Sequence, residues 1–401
     1  MTCRICGNST KTVLDLGSTP PANSLLLSAE DNIQAHSLVL EYCGSCGNLQ
    51  LRDCLDSDLL YKHYYYVTPK SKTLESHYNF LTSFLIEKNY LNKTSSVVEV
   101  GSNIGAYLHH IKPFVGSVVG IDPAENIVAE ANSNGINTIC DFFSIESAGK
   151  IKKEYGAADT LIARHCFAHN ANPHELLSGV KVLLGPNGHV VIENAYAVNT
   201  IEGNEIDQIY HEHMFYYSIQ SMSKALELNG LVLVDVLISL VHGGSICFIA
   251  KHKEEDPIIS QSVATHLSYE KSVLNESRLL DFASSAYKLK YELYNFVQSI
   301  LKDGKSIYTY GATAKGNTLL NFIGLDHKSI PYCVDNTKIK LNKYLPGSRI
   351  KIISEQEALE NPPNYFLLTA WNYKDEIIAK TRSAGNYSTA FIIPFPRLTI
   401  I

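Results

Sequence analysis

The stretch SSVVEVGSNIGAYLHHI, residues 95–111, decides the fold of this 401-residue chain. An apolar, β-branched run leads into a glycine turn, and apolar residues at helical spacing follow it. This order predicts a strand, a loop and a helix, the opening unit of a doubly wound α/β sheet. Some twenty residues beyond the first glycine, SVVGID (117–122) predicts a second strand that ends in Asp122.

A glycine loop after one strand and a carboxylate at the tip of the next predict a nucleoside site, because the carboxylate can bind the ribose diol. A nicotinamide dehydrogenase would show the same elements. Here the loop is G-S-N-I-G, which matches the G-x-N-x-G form common in methyltransferases rather than G-x-G-x-x-G. We therefore expect S-adenosylmethionine as the cofactor. The expected contacts in this part of the chain are Gly101, Ser102, Asn103, Gly105, Asp122 and Pro123.

Three further segments continue the alternation of strands and helices. CDFFS (140–144), ADTLIARHCFAHNAN (158–172) and LLGPNGHVVIENAY (183–196) stand in the order expected of the third, fourth and fifth strands. The middle of the chain is therefore predicted to be a Rossmann-like methyltransferase domain.

The last third of the chain repeats the pattern. After a charged helical run at roughly 268–303, KSIYTYGATAKGNTLLNFIG (305–324) predicts strand, glycine turn and helix, and IPYCVDN (330–336) predicts another strand. A second Rossmann-like unit follows from this order. Lys315 falls at the predicted helix N-terminus, where amides and an ammonium group suit an anion such as a diphosphate. A structural unit that binds nothing is the alternative.

Two pairs of cysteines precede these units. Cys3 and Cys6 form one C-x-x-C motif, Cys43 and Cys46 form another, and glycine follows each pair. Four thiolates in tetrahedral array predict a closed structural zinc site with no open position for catalysis. Buried free thiols or a redox pair are the alternative. Between the pairs, LDLGSTPPANSLL (14–26) contains a Pro-Pro pair that excludes helix.

The composition excludes several classes of protein. Apolar residues make up 45% of the chain and charged residues 18%, as in ordinary globular enzymes. A formal charge of −6 argues against a nucleic-acid surface, because phosphate-backbone binders need clustered lysine and arginine. No apolar run approaches the length of a membrane span, and the first residues lack a signal-peptide core. We expect a cytoplasmic monomer with no nucleic-acid or membrane partner.

A dense group of titratable residues follows the predicted fifth strand. IDQIYHEHMFYYS (206–218) contains Tyr210, His211, Glu212 and His213. The H-E-x-x-H zinc motif is not present, because position 215 holds phenylalanine. A histidine titrating near neutral pH suits a base that removes a proton next to a ketone, so that the enolate carbon can be methylated. Metal binding by the two histidines, or a pair of hydrogen-bonded loop histidines, is the alternative.

Upstream, YKHYYYVTPKSKT (61–73) joins the cysteine region to the cofactor domain. Its tyrosines and Ser71 are candidate walls of a substrate site. For each tyrosine, aromatic packing at a domain junction is the alternative.

These motifs resemble the sugar C-methyltransferases that act on nucleotide-linked 4-keto-6-deoxy sugars. The resemblance covers nearly the whole chain, and its motifs occur in the family's order: the cysteine pairs, Y-x-Y-x-S/T-x-x-S at 64–71, VGSNIG, Phe142-Phe143, ARHCFAHN, Q-I-Y-H-E-H and HGGS (242–245). Two positions depart from the pattern. Cys247 stands where many relatives carry arginine, and His165 stands where asparagine is usual.

The resemblance implies an α/β enzyme of three domains: a zinc-binding, substrate-contacting domain (1–70), an S-adenosylmethionine-binding domain (71–265) and a Rossmann-like domain that binds the nucleotide sugar (266–401). It implies that His213 removes the proton at C3 beside the 4-keto group. Tyr210 and Glu212 would position the sugar or polarise its keto oxygen, and either Tyr64 or Tyr66 would supply a phenol. The implied substrate contacts are Ser71, Asn194, His211, His242 and Lys315. The implied cofactor contacts also include Asp141, Phe142, Arg164 and His165.

Two alternatives stay open at this point. Methylation of a sugar oxygen or nitrogen, or another step on a nucleotide sugar, would use the same scaffold. A zinc-ribbon nucleic-acid methyltransferase is favoured only by the cysteine pairs.

Overall fold

The computed structural model describes residues 1–56, 60, 68 and 71–401, with His242 described by its backbone alone. The strands form three sheets of four, seven and six strands. Among the helices in this part of the chain, none combines the length and apolarity that crossing a membrane requires.

The N-terminal sheet is antiparallel and takes one strand from far along the chain. Its members, in order across the sheet, are β1 (Lys11–Thr19), β2 (His36–Cys43), β3 (Asn48–Leu51) and β9 (Phe215–Tyr216). β3 pairs with β9, and the amide of Leu51 donates to the carbonyl of Met214 at 3.0 Å. Because β9 begins two residues after His213, backbone hydrogen bonds join the cysteine-bearing unit to the predicted catalytic block.

The central sheet is mostly parallel. Its strands are β4 (Ser96–Val100), β5 (Ser117–Asp122), β6 (Thr138–Cys140), β7 (Ala158–Arg164), β8 (Leu184–Ala195), β10 (Leu231–Ser239) and β11 (Ser245–His252). The order across the sheet is β6-β5-β4-β7-β8-β11-β10, and β11 runs antiparallel to both of its neighbours. The chain order reverses at β4, and sheets of this kind bind ligands beyond the carboxyl ends of their strands at such a point.

Seven helices in the described residues accompany this sheet: α1 (Lys72–Glu87), α2 (Ala106–Ile111), α3 (Glu125–Ser133), α4 (Ile145–Tyr155), α5 (Pro173–Leu183), α6 (Ala197–Glu202) and α7 (Ile219–Leu228). α1 shows why they form. Leu74, Tyr78, Leu81 and Leu85 recur at helical spacing and are buried on one stripe. The predicted strand, glycine turn and helix at 95–111 are confirmed, as are the strands predicted within 117–122, 158–172 and 183–196. The third strand lies earlier than predicted: β6 ends at Cys140, and residues 141–144 of the CDFFS segment form the loop after it.

The C-terminal sheet has the order β14-β13-β12-β15-β16-β17 and is parallel except for β17. Its strands are β12 (Ile307–Tyr310), β13 (Tyr332–Val334), β14 (Lys351–Ile353), β15 (Tyr365–Leu368), β16 (Ala390–Ile393) and β17 (Thr399–Ile400). The helices of this part are α8 (Gln261–Val273), α9 (Glu276–Lys302), α10 (Ala314–Ile323), α11 (Glu355–Glu360) and α12 (Lys374–Ser383). The second Rossmann-like arrangement is therefore present.

Candidate active site

A cleft opens at the carboxyl end of β4, where the order of the central sheet reverses. Nine of the ten predicted cofactor contacts line it: Gly101, Ser102, Asn103, Asp122, Pro123, Asp141, Phe142, Arg164 and His165. The tenth, Gly105, begins α2 with a φ of 71°, and a Cβ there would lie 2.8 Å from the Ile136 side chain. Gly105 therefore shapes the turn rather than lining the cleft.

The glycine loop is held by backbone geometry that a side chain would disturb. Gly101 has a φ of 65°, and a Cβ there would lie 2.6 Å from Cβ of Cys166. Asn103 also has a positive φ, of 50°, and its side-chain oxygen accepts hydrogen bonds from the amide and hydroxyl of Thr68. Thr68 is thereby tied to the loop.

Asp122 lies at the tip of β5, as predicted. Its Oδ2 accepts from the amide of Asn103 at 3.0 Å and its Oδ1 from the amide of Ala124 at 3.1 Å. Each carboxylate oxygen has a second lone pair, so the group can also accept from two ribose hydroxyls. A glycine cradle beside such a carboxylate fits the methionine and ribose parts of S-adenosylmethionine.

Arg164 forms one wall of the cleft together with aromatic rings. Its Nε donates to Oε1 of Glu99 at 3.0 Å, and its guanidinium carbon lies 4.2 Å and 4.8 Å from the ring centroids of Tyr107 and Tyr78. Burial raises the pKa of Glu99 to about 7, although Arg164 opposes the shift. The arginine is thus fixed on several sides and offers a permanent charge to the cleft.

Glu193 is a buried carboxylate behind the cleft that sequence analysis missed. Its Oε1 lies 2.7 Å from Nε2 of His77, and its Oε2 lies 3.7 Å from Nε2 of His165. Burial would raise the pKa of Glu193, but the contact with His77 and the nearby His165 and Arg164 lower it to about 2. Cys247 is its cross-strand neighbour on β11. The two departures from the family pattern, Cys247 and His165, therefore both lie beside this carboxylate.

His213 has both ring nitrogens engaged. Its Nδ1 lies 3.0 Å from the carbonyl oxygen of Gln208, which can only accept, and its Nε2 lies 2.5 Å from the Tyr210 hydroxyl. Nδ1 therefore carries the proton, and Nε2 holds a lone pair. Burial, the adjacent His169 and the charge of Lys315 lower the pKa of His213 well below its ordinary value. The ring is thus a neutral base at physiological pH.

His169 links this base to the cofactor cleft, and sequence analysis did not select it. It lines the cleft, and its ring centroid lies 5.2 Å from that of His213. The two segments are also joined by backbone, because the amide of Met214 donates to the carbonyl of Ala168 at 2.9 Å. His213 therefore lies one ring away from the wall of the cleft.

The two residues between Tyr210 and His213 face the N-terminal unit. Asn23 donates to both oxygens of Glu212, at 2.8 Å and 2.7 Å, and burial raises the Glu212 pKa to about 7 although this hydrogen bond opposes the shift. Nε2 of His211 lies 3.3 Å from the carbonyl oxygens of His36 and Ser37 on β2.

Other predicted substrate contacts occupy varied positions. The Ser71 hydroxyl accepts from the amide of Leu74 and caps α1, and the Asn194 side chain accepts from the amide of Ala168 at 3.3 Å. Tyr64 and Tyr66, and the side chain of His242, lie outside the described residues.

Lys315 is the second residue of α10, as predicted, but carboxylates surround it. Asp207 and Glu205 both raise its pKa, although burial lowers the pKa more, and the ammonium lies 5.5 Å from the ring centroid of Trp371. Its charge also reaches His213. The C-terminal unit thereby contributes a cation to the surroundings of the predicted base.

The four predicted zinc ligands converge. All four sulfurs lie within 4.8 Å of one another, with Cys3 and Cys46 3.6 Å apart and Cys6 and Cys43 3.5 Å apart. Tetrahedral zinc with bonds of about 2.3 Å places its sulfurs about 3.8 Å apart, so the set fits this metal. Within the described part of the chain, no other group of three or more potential ligands converges in this way. His211 and His213 thus gain no third ligand there.

Comparisons with known proteins bear on the whole chain. Residues 3–61 match a model of a zinc binding domain, residues 74–236 a model of a methyltransferase domain, and residues 240–396 a model of a C-methyltransferase C-terminal domain. The C-methyltransferase NovU of Streptomyces niveus is 36% identical over 405 residues, which cover 100% of this chain and 96% of NovU. The chain belongs to the C-methyltransferase family. The enzyme is therefore an S-adenosylmethionine-dependent methyltransferase that also binds zinc.

Solved structures match parts of the enzyme. A SAM-dependent methyltransferase from Anabaena variabilis covers 43% of this chain and 83% of its own, with 16% identity and a TM-score of 0.36. Magnesium protoporphyrin IX methyltransferase from Synechocystis PCC 6803, with bound SAH, covers 46% of this chain and 89% of its own, with 14% identity and a TM-score of 0.35.

Proposed function

We propose that the enzyme methylates C3 of a nucleotide-linked 4-keto-6-deoxy sugar, with His213 as the base. The observation that carries this proposal is the neutral His213 ring, whose Nε2 holds a lone pair one ring away from the cofactor cleft. A carbon next to a ketone becomes nucleophilic when such a base removes its proton.

Residues of the chain would accept the proton and stabilise the enolate, and the cofactor would supply the methyl group. The C3–H bond breaks, its proton moves to Nε2 of His213 directly or through the Tyr210 hydroxyl, and the electron pair forms an enolate with charge on the keto oxygen. The enolate carbon then forms the new C–C bond. When bound, S-adenosylmethionine would supply an electrophilic methyl group, and its sulfur would keep the electron pair of the broken sulfur–methyl bond and leave as a neutral thioether. The Tyr210 hydroxyl, which lies next to His213, would donate to the enolate oxygen and stabilise its charge.

The sugar and the nucleotide are assigned to different structural units of the enzyme. We propose that the N-terminal unit and the 206–218 block form the sugar pocket, and that the C-terminal unit binds the nucleotide. Asn23 supports this assignment, because the connector that holds it reaches Glu212.

The test is incubation of the enzyme with S-adenosylmethionine and several nucleotide-linked 4-keto-6-deoxy sugars. We expect a mass gain of one methyl group, and product NMR should place it at C3. Transfer to oxygen or nitrogen would contradict the proposal.

The base is tested separately by solvent exchange in heavy water without cofactor. The wild type should exchange the C3 proton for deuterium, and His213→Ala should not. The same substitution should lower kcat about 10²–10⁴-fold while S-adenosylmethionine binding persists. A variant that still turned over at the wild-type rate would exclude His213 as the base.

A further inference from the structure

A short series of polar contacts links the C-terminal unit to His213. It runs from Trp371 to Asp207 and then, through the backbone, to the carbonyl of Gln208 that orients the imidazole. Trp371, which follows β15, donates from Nε1 to Oδ2 of Asp207 at 2.7 Å. Asp207 precedes Gln208, whose carbonyl accepts from Nδ1 of His213 and from the Tyr216 hydroxyl at 3.1 Å. The first of these hydrogen bonds fixes the tautomer that leaves the lone pair on Nε2.

We infer that Trp371, Asp207 and Lys315 are positioning residues, which orient the His213 imidazole for proton abstraction. This inference rests on the proposed function, because it assumes that His213 is the base. None of the three needs to touch the reacting carbon.

The anchoring of Asp207 is the first argument. Its side chain is fully buried, and within the described residues Oδ1 has no hydrogen-bond partner. The indole N–H is therefore a side-chain donor to this carboxylate, which is also stabilised by the charge of Lys315 and by the backbone amides of Asp207 and Gln208. Without the indole the buried carboxylate loses part of this stabilisation, and the turn at 206–208 is expected to shift. A shift of about 1 Å in a base is enough to lower a rate about 100-fold.

The charge of Lys315 is the second argument. The Lys315 ammonium lies over the face of the Trp371 ring, and the negative charges of Asp207 and Glu205 raise its pKa, although burial lowers the pKa more. The groups facing His213 are Tyr210 at Nε2, the rings of His169 and Tyr216, the His165 imidazole and the charge of Lys315. Because a cation opposes protonation of the imidazole, loss of the Lys315 charge should raise the pKa of His213.

Trp371 is the single tryptophan of the chain, so the protein's tryptophan fluorescence reports on the surroundings of this one ring, which include Asp207, Lys315 and Phe395. Asp207→Ala removes the acceptor and should change the emission of Trp371. We expect Asp207→Ala and Trp371→Phe to lower kcat about tenfold or more, with little change in KM or in S-adenosylmethionine affinity. Trp371→Phe keeps a ring against Phe395 and Lys315, so it carries the test where Asp207→Ala does not fold.

Lys315→Met should move the acid limb of the kcat/KM profile to higher pH, and Lys315→Arg should restore its position. Lys338→Met and Asp375→Asn, which alter exposed groups of the same unit, are matched controls and should leave rate and profile unchanged. A purely structural role would lower the melting temperature without moving the limb.

The outcomes separate the two proposals. If His213→Ala stays active, the proposed base fails and this inference fails with it. If His213→Ala is inactive while Trp371→Phe, Asp207→Ala and Lys315→Met keep the wild-type kcat and pH profile, the inference alone is overturned.

Discussion

The Tyr210 hydroxyl donates to Nε2 of His213 across 2.5 Å, so the phenol and the imidazole share one proton position, one ring away from the wall of the cofactor cleft. Any proton that reaches Nε2 must either displace this hydrogen bond or pass along it. The two residues therefore act as one acid–base unit.

Removal of the Tyr210 hydroxyl tests whether Tyr210 and His213 act together in proton transfer. We expect Tyr210→Phe to lower kcat about 10- to 100-fold, because the enolate loses a donor and the base loses its partner. Steady-state kinetics with the keto-sugar would measure it. Tyr387→Phe, at an exposed tyrosine, is the control. An unchanged kcat in Tyr210→Phe would rule out a chemical role for the phenol.

The pH dependence should identify the base. The pKa of His213 lies well below 6.5, so kcat/KM should fall as pH decreases through a value under 6.5, where protonation removes the Nε2 lone pair. A limb near pH 7 would instead indicate a buried carboxyl, because burial raises the pKa values of Glu212, Glu99 and Glu205 to about 7. Glu212→Gln should abolish a limb near pH 7 that belongs to Glu212 and leave a limb below 6.5 in place. A profile measured from about pH 5 to 9 distinguishes His213 from a buried carboxyl.

The glycine loop should tolerate no side chain at its first position. Gly101→Ala forces a Cβ against Cys166 at positive φ, so we expect at least a tenfold loss of S-adenosylmethionine affinity and about 1–3 kcal/mol of stability. Calorimetric titration and urea unfolding measure the two effects. Gly135→Ala is a matched control, because its φ is 78° but no atom lies within 4 Å of the added Cβ. Equal losses in both variants would mean that backbone strain alone is responsible.

We expect the loss of one zinc ligand to lower both the stability and the activity of the enzyme. We expect Cys43→Ser to lower the metal content and to reduce the free energy of unfolding by about 3 kcal/mol or more. Activity should fall as well, since β3 pairs with the strand that follows His213. Metal analysis and thermal unfolding provide the measurements, with Cys140→Ser, at an exposed cysteine outside the cluster, as the control for both. Wild-type stability without bound metal would contradict a structural role for zinc.

Local patterns predicted the elements of the fold well. The glycine loop, the carboxylate at the tip of β5 and the cysteine pairs each depend on residues close in sequence, and the structure contains all three. The long-range partners were not predictable in this way. Glu193 pairs with His77 from 116 positions away, and Asn23 reaches Glu212 across 189. His169 lies within ARHCFAHN, but the motif gives this histidine no stated role, and only its contact with His213 identifies it.

The pairing of β3 with β9 limits how this enzyme family can exchange parts. Consider a chimaera that takes its first 70 residues from a relative. Its N-terminal sheet would have to form backbone hydrogen bonds and side-chain contacts with Phe215–Tyr216 of this enzyme. Backbone pairing tolerates such a change, but the contact of Asn23 with Glu212 depends on both side chains. We therefore expect a chimaera to acquire the substrate preference of a relative only when the metal-binding unit and residues 206–218 are both taken from that relative.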